Sequence, residues 1–330
     1  MKVNNMKVAL IGLGVMGRNH ARVLNEMPNV ELVAVVDPLQ SEINSISTSN
    51  YFSELKSLKK IELDYCVIAA PTNFHFEIAN WAIDRKLPFL IEKPLTSSYQ
   101  TALKLSEKTN SINLPACVGH IERFNAAARE AKARIKNGEI GKVYQIRTIR
   151  QGPFPARISD VGVIFDLATH DIDLAGWILD DKCINVFAQT AKTSGREFED
   201  LVCITSKYSS GVIANHVVNW LSPMKERSVQ ILGERGALVI DTLSSNLTFY
   251  ANGSHKVTQN TLSHFVGVSQ GEVHTYAFEK PEPLRVEHET FIDLLLGRPS
   301  EIVTILEGAE TIKVAEAVFK SSQLGNSVNV

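Results

Sequence analysis

Cysteine is scarce in this chain and never paired locally. Cys66, Cys117, Cys183 and Cys203 stand far apart, each beside apolar or β-branched residues. That spacing excludes a disulfide framework and offers no close pair for a zinc site, so all four read as reduced core thiols and no metal is expected. A surplus of charge is missing too. The 34 Lys and Arg nearly balance the 36 Asp and Glu, for a formal net charge of −2, which gives no field to draw nucleic acid or an anionic membrane surface. No apolar run approaches the roughly 20 residues needed to cross a bilayer. Near the start, Val8–Val15 is broken by glycines and does not read as a secretory signal. There is no basic tail, lipidation signal, internal repeat or low-complexity segment. A cytoplasmic protein without nucleic-acid or membrane partners is expected. What is present is a globular composition, 44% hydrophobic and 21% charged, in 330 residues; that is too long for one ordinary core, so two domains are expected.

From Lys7 to about His120 short apolar runs alternate with helical segments. Val8–Ile11 reads as a first strand, Met16–Met27 as a helix and Val30–Val36 as a second strand. Tyr65–Ala69, Phe89–Ile91 and Pro115–Gly119 are further buried strands, separated by helices through Arg85 and over about Ser98–Thr109. Strands alternating with helices imply right-handed crossovers and a doubly wound parallel sheet, an α/β domain over residues 1–120. After Gly119 the character changes. A helix over about Asn125–Lys136 stops at Asn137-Gly138, and most later runs look like longer strands joined by tight turns: Lys142–Arg150, Ile184–Thr190, Asp200–Tyr208, Val212–Trp220, Ser228–Leu232, Ala237–Asp241 and Glu272–Glu279. One helix, about Val163–Leu179, interrupts them. Residues 121–330 are therefore expected to form an α+β domain on an open, mostly antiparallel sheet. The terminal helices, about 286–322, are expected to pack back on the first domain.

Gly12-Leu13-Gly14-Val15-Met16-Gly17 follows the first strand and opens the first helix. In that context the first glycine permits a tight turn, the second admits a pyrophosphate and the third lets helix and strand pack closely. The helix N-terminus presents free N–H groups to phosphate. Asp37, at the end of the second strand, is placed to accept the adenine-ribose hydroxyls and to repel a 2′-phosphate, and Leu39-Gln40-Ser41 brings no arginine, so NAD is favoured over NADP. Pro71-Thr72-Asn73-Phe74-His75 makes another strand-end turn into a helix. Thr72 or Asn73 suits the helix cap, and His75 is either a helix-start histidine or a contact to the nicotinamide ribose.

Two groupings carry chemistry. Glu92-Lys93-Pro94 closes a buried strand with a charged pair where ligands of open α/β sheets lie. Asp166, His170, Asp173 and Trp177 recur at spacings of four, three and four, so they are expected on one helical face. A carboxylate one turn from an imidazole holds its tautomer and supports the imidazolium formed on proton uptake.

Together these segments resemble, in order and over essentially the whole length, the glucose–fructose oxidoreductase / inositol dehydrogenase / rhizopine-catabolism (Gfo/Idh/MocA) family: the glycine turn, Ala70-Pro71-Thr72 with His75, Glu92-Lys93-Pro94, and Asp166 with His170 and Ile172-Asp173. The resemblance implies a Rossmann domain followed by an open-faced sheet domain, and homodimers or homotetramers packed through that sheet. It implies an NAD-dependent dehydrogenase acting on CH–OH groups, with cofactor contacts from Gly12, Leu13, Gly14, Val15, Met16, Asp37, Pro71, Thr72, His75, Glu92 and Lys93. Lys93, Asp166 and His170 act on the substrate, and Glu92 lies near the nicotinamide ribose; either Lys93 or His170 is the base. The run Ser159–His170 lacks the usual glycines before the histidine. With Gly119–Asn125 it is similar to the branch that oxidises UDP-N-acetyl sugars, most of all the UDP-N-acetylglucosamine 3-dehydrogenases. Arg123, Asn125 and Arg157 are then candidates for the diphosphate, with Arg147 and Arg150 behind them. An inositol or free-sugar dehydrogenase is the nearest alternative. A dinucleotide-binding regulatory protein without catalysis is the alternative of another class, and a tightly held, non-exchanging cofactor is a third.

Overall fold

The computed structural model describes residues 5–39, 48, 50–155, 161–253 and 270–330. The chain divides into two compact units, Met1–Ile121 with Glu282–Lys313, and Glu122–Pro281 with Val314–Val330.

In the first unit six strands form one parallel sheet: β1 (Met6–Ile11), β2 (Val30–Val36), β3 (Tyr51–Phe52), β4 (Tyr65–Ile68), β5 (Phe89–Glu92) and β6 (Ala116–Gly119), in the order β3-β2-β1-β4-β5-β6. Both faces are covered, which is why Tyr65–Ile68 and Phe89–Glu92 are buried at every position and read as continuous apolar runs instead of alternating ones. The crossovers carry α1 (Val15–Glu26), α2 (Thr72–Asp84) and α3 (Tyr99–Ser111). Ser98 caps α3 by accepting from the Thr101 amide at 3.3 Å. The strand order reverses between β1 and β4, so their carboxyl ends form the switch point at which such sheets take ligands.

The second unit is built on a nine-stranded sheet. Its strands are β7 (Val143–Pro153), β8 (Cys183–Ala191), β9 (Leu201–Tyr208), β10 (Ile213–Asn219), β11 (Leu221–Gly233), β12 (Gly236–Asp241), β13 (Asn246–Asn252), β14 (Gln270–Thr275) and β15 (Val328–Asn329), in the order β14-β13-β12-β11-β7-β10-β9-β8-β15. Every ladder is antiparallel except β7 with β10. Helices α4 (Ala126–Lys136) and α5 (Thr169–Leu179) bury one face: Ala127, Ala131, Leu174 and Ile178 pack on Ile146, Ala214, Val229 and Ile231. On the opposite face Tyr144, Phe187, Leu232 and Tyr250 stay exposed. Two helices lie between β14 and β15 in the chain, α6 (Pro283–Leu295), with proline at its start, and α7 (Ile305–Leu324).

Several elements differ from the sequence expectation, among them the short strands β3 and β15, which were not expected. β13 and the lengthened β11 were not expected at those bounds, because pairing rather than alternation defines them; β11 slips register against β7 between Leu221 and Glu226. The helix expected over Val163–Leu179 begins as a π-helical turn, Ile164–Ala168, before α5 proper. No helix among the described residues is long and apolar enough to cross a membrane.

Candidate active site

In the first unit the motif residues gather along one edge of the sheet. The glycine turn follows β1, Asp37 follows β2, Pro71 and Thr72 follow β4, and Lys93 follows β5. Each glycine of the turn is explained separately. Gly12 has φ of +97°, and a Cβ there would lie 2.5 Å from the Ala70 nitrogen. A Cβ on Gly17 would meet the Gly12 carbonyl oxygen at 2.1 Å, whereas one on Gly14 would meet nothing within 4 Å. The first and third glycines thus serve the fold, and the second leaves open space. Gly14 caps α1 without a side-chain bond, and no acidic residue stands in the first turn. The amides there, from Val15 and Met16 onward, are therefore not neutralised by the chain, as an anionic pyrophosphate requires. Asp37 braces the same turn: its carboxylate accepts from the Leu13 amide at 2.6 Å and the Leu39 amide at 2.7 Å. Half-buried, it keeps acceptor capacity for ribose hydroxyls. The residues present fit NAD.

Two of the expected cofactor contacts, His75 and Glu92, are bonded within the fold. His75 is 1% exposed, with Nε2 at 2.8 Å from the Ala70 carbonyl and Nδ1 at 3.0 Å from that of Pro94. It ties the turn after β4 to the turn after β5, and burial lowers its pKa. The helix cap expected of Thr72 or Asn73 is taken by Pro71, with no side-chain bond. Glu92, expected near the ribose, turns into the fold. Its Oε2 accepts from the Lys93 amide at 3.1 Å, and its Oε1 lies 2.9 Å from His20 Nε2. Burial alone would raise the Glu92 carboxyl; the bond to His20 and the charges of His20 and Lys93 outweigh it and hold the group below the usual range. Lys93 itself is half-buried at the strand end.

In the second unit Asp166 lies in the π turn and His170 in the first turn of α5. Asp166 is 6% exposed, while His170 is half-buried. Of the four residues expected on one face, Asp173 and Trp177 have partners within the unit. Asp173 turns to Arg123, which donates to it through Nε at 2.8 Å and Nη2 at 2.6 Å, both residues being buried. Trp177 packs under the Lys132 ammonium at 4.2 Å. Arg123 is therefore engaged in a bidentate pair. Asn125 caps α4 through Oδ1 and donates to the Thr242 carbonyl and Ser245 hydroxyl, each at 3.0 Å. Both diphosphate candidates hold the fold; Arg157, the third, lies outside the described residues. Arg147 points to the exposed side of β7, and Arg150 is buried between Asp171 (2.8 Å) and Glu122 (2.7 Å).

Sequence reading missed Asp171 and also Arg227. Arg227 stands opposite Arg150 in the β11–β7 ladder. Its Nη1 donates to the carbonyls of Gln151 and Glu226. Burial and then the Arg150 charge lower its pKa, while Asp171, Glu122 and Asp166 act the other way. The signal was the charged residue on alternate positions of a strand whose Val229 and Ile231 are core. His20 was missed as well, although it occupies the buried stripe of α1 with Gly17, Ala21 and Leu24. Among the described residues no group of three or more His, Cys, Asp or Glu could hold a metal.

Comparison with known proteins agrees with this architecture. Residues 6–120 match the family model described as "Oxidoreductase family, NAD-binding Rossmann fold", and residues 128–239 match "GFO/IDH/MocA C-terminal domain". The scyllo-inositol 2-dehydrogenase (NAD(+)) of Bacillus subtilis is 28% identical over 256 residues, 73% of this chain and 75% of the relative. UDP-N-acetylglucosamine 3-dehydrogenase of Acidithiobacillus ferrooxidans is 25% identical over 260 residues, 77% of this chain and 79% of the relative. A solved structure of an enzyme with that name and source superposes with a TM-score of 0.82 at 23% identity, covering 97% of this chain and 98% of that one, a likeness of fold.

Proposed function

The chain belongs to the Gfo/Idh/MocA oxidoreductases and carries their NAD-binding Rossmann domain, and on that premise we propose that it oxidises a ring carbinol of a UDP-N-acetyl sugar, UDP-N-acetylglucosamine first, to the ketone. The observation that carries the dehydrogenase reading is Lys93 at the carboxyl end of β5, next to the switch point and its open glycine turn. NAD, when bound, supplies the two-electron acceptor for the hydrogen on the carbinol carbon. His170 takes the hydroxyl proton, and Asp166 orients the imidazole and stabilises its charged form. Lys93 donates a hydrogen bond to the reacting oxygen as negative charge develops there. Asp37 and the α1 amides hold the dinucleotide.

The nucleotide-sugar assignment is supported by the match to UDP-N-acetylglucosamine 3-dehydrogenase across more than three quarters of both chains. A second reading, an inositol dehydrogenase, is favoured by the scyllo-inositol enzyme at 28% identity and by the engagement of Arg123 and Asn125 within the fold. A panel of UDP-N-acetyl sugars, inositols and free sugars, each with NAD or NADP, separates them by NADH formation and by the mass of the ketone. Turnover of inositols alone would remove the nucleotide sugar; NAD binding without turnover of any member would remove the enzyme and favour a regulatory protein. We also assign self-association to the uncovered face of the second sheet, on the strength of exposed Tyr144, Phe187, Leu232 and Tyr250. Light scattering tests it, and a monomer contradicts it. A cytoplasmic setting suits the thiols, all four of which are free.

A further inference from the structure

Beneath the end of β5 the first unit buries four titratable side chains that the reaction above does not use. His20 is 0% exposed, His288 0%, Glu287 1% and Glu92 7%. They come from α1, α6 and β5, and three of them form a chain. Glu92 Oε1 stands 2.9 Å from His20 Nε2, and His20 Nδ1 stands 2.9 Å from His288 Nε2, with the two rings edge to face. On the other side of the carboxylate, Oε2 receives the Lys93 amide at 3.1 Å. Room for the carboxylate comes from Gly119, its partner in the β5–β6 ladder; a Cβ there would press on Glu92 Cδ at 3.3 Å.

The chemistry of the donors fixes the protons. An ionised carboxylate only accepts, so His20 Nε2 carries a hydrogen. His288 is held neutral, by burial first and then by the neighbouring His20. His20 Nδ1 and His288 Nε2 share one hydrogen between them, and His288 Nδ1 is a buried atom with no hydrogen-bond partner. Glu287 has neither oxygen hydrogen-bonded, and burial followed by the Glu92 charge pushes its pKa well above the carboxylate range, so it is a neutral acid. The cluster therefore holds the Glu92 carboxylate between the His20 ring and the Lys93 amide. A hydrophobic interior of the same shape would be as stable or more so, and buried titratable groups arranged in this way mark functional sites.

We propose that His20 is a positioning residue for Lys93. Acting through Glu92, it clamps the carboxylate against the Lys93 amide where the chain leaves β5, and His288, bonded to His20 Nδ1, holds the ring so that Nε2 faces Glu92. The proposal rests on the reading that Lys93 takes part in the reaction. The titratable and charged groups that face this cluster are Lys93, Cys117 on β6, Glu287 beside His288 on α6, and His75 on α2, whose ring feels the Glu92 charge.

The test uses the full chain and the variants His288→Leu, His288→Gln and His20→Gln. His288→Leu replaces a partly satisfied buried imidazole by an apolar side chain, so it should melt no lower than wild type and bind NAD as tightly. Its kcat should nonetheless fall about tenfold, the lower end for loss of an outer-shell partner, with a displaced pH profile of kcat and an unchanged KM for NAD. His288→Gln, whose amide can still donate to His20, should recover most of that rate. A His288→Leu protein with the rate and pH profile of wild type would overturn the proposal, as would a loss not recovered by His288→Gln. If His288→Leu does not fold, His20→Gln is measured instead: its amide still donates to Glu92, so it should keep most of the rate, and a tenfold loss would overturn the proposal. Nitrogen NMR of histidine-labelled wild-type protein needs no substrate: His20 in the Nε2–H tautomer supports the clamp, and the Nδ1–H tautomer overturns it. A wild-type protein that oxidises no sugar would count against the proposed function, with the NMR result still deciding the clamp.

Discussion

The two units bury charge in different ways. In the second, two buried aspartates meet arginines: Asp173 takes a bidentate pair from Arg123, and Asp171 with half-buried Glu122 encloses Arg150. Burial alone would lower the pKa of Arg150, but Asp171 and Glu122 raise it, so the pair is ionised at any ordinary pH. The buried histidine of that unit, His216, bonds to Thr148 and is kept neutral, its pKa lowered by burial to about 4. In the Rossmann unit the buried carboxylate Glu92 meets imidazoles, and a second carboxyl, Glu287, stays protonated. Arginine pairs hold geometry without regard to pH, which suits a frame that presents Asp166 and His170. Imidazole–carboxylate chains depend on where each proton sits, which suits the strand end that carries Lys93, the lysine proposed to act on the substrate.

The largest expected break falls on the one half-buried imidazole in that frame of fixed charges. His170→Ala should cut kcat by about 10²–10⁴-fold, as loss of a general base does, with the NAD dissociation constant unchanged; a rate near wild type would move the base to Lys93. Next comes the frame itself. Arg123→Ala removes the bidentate partner of buried Asp173 and should cost roughly 3–5 kcal/mol of stability, whereas replacing both partners by apolar residues of similar size should cost far less. Chemical denaturation of the two variants decides whether the pair is a frame or an ornament of the surface.

The glycine turn sharpens the comparison at the level of backbone. Gly17→Ala sets a Cβ against the Gly12 carbonyl at 2.1 Å and should lower the melting temperature clearly. Gly14→Ala meets nothing and keeps an allowed φ of −64°, so it should gain about 0.4–1 kcal/mol in stability while weakening NAD binding. Equal losses of stability in both would contradict the division of roles.

The smallest effect is one of pH. A carboxyl raised in the folded state binds a proton that the unfolded chain has released, so Glu287 costs stability as pH climbs above the unfolded value of about 4.3. Glu92 works the other way: held low when folded, it contributes stability above that value and loses it as pH falls through its folded pKa. His288, held low, favours the folded state above about 6.5 and disfavours it below. Glu287→Gln removes only the first of these. Relative to wild type it should gain at most about 1.4 kcal/mol per pH unit between pH 5 and pH 8, and a constant difference would mean that Glu287 is ionised in the fold.

Much of this was legible in the sequence, for stated reasons. Parallel strands covered on both faces must be apolar runs, so Val30–Val36, Tyr65–Ile68 and Phe89–Glu92 declare themselves, and the glycine turn is forced by sterics at Gly12 and Gly17. Orientation was not legible. Whether Glu92 turns toward a cofactor or into the core depends on His20 and His288, the latter 268 residues from His20 in sequence. Asp173 was not legible as a frame residue because helical spacing gives a face and not a partner, and Arg123, 50 residues away, takes its carboxylate. Glu287 and His288 could have been noticed: they fall on the stripe Leu284, Phe291 and Ile292 of α6, where an amphipathic helix has apolar residues.

The central claim is that this frame and this strand end oxidise a sugar carbinol. Its most direct test is NADH formation by wild type and His170→Ala on the same UDP-N-acetyl sugar, with NAD binding measured on both. The account predicts NADH and a ketone from wild type, almost none from the variant, and equal NAD affinity. Equal rates, or NAD bound by wild type with no sugar oxidised, would contradict it.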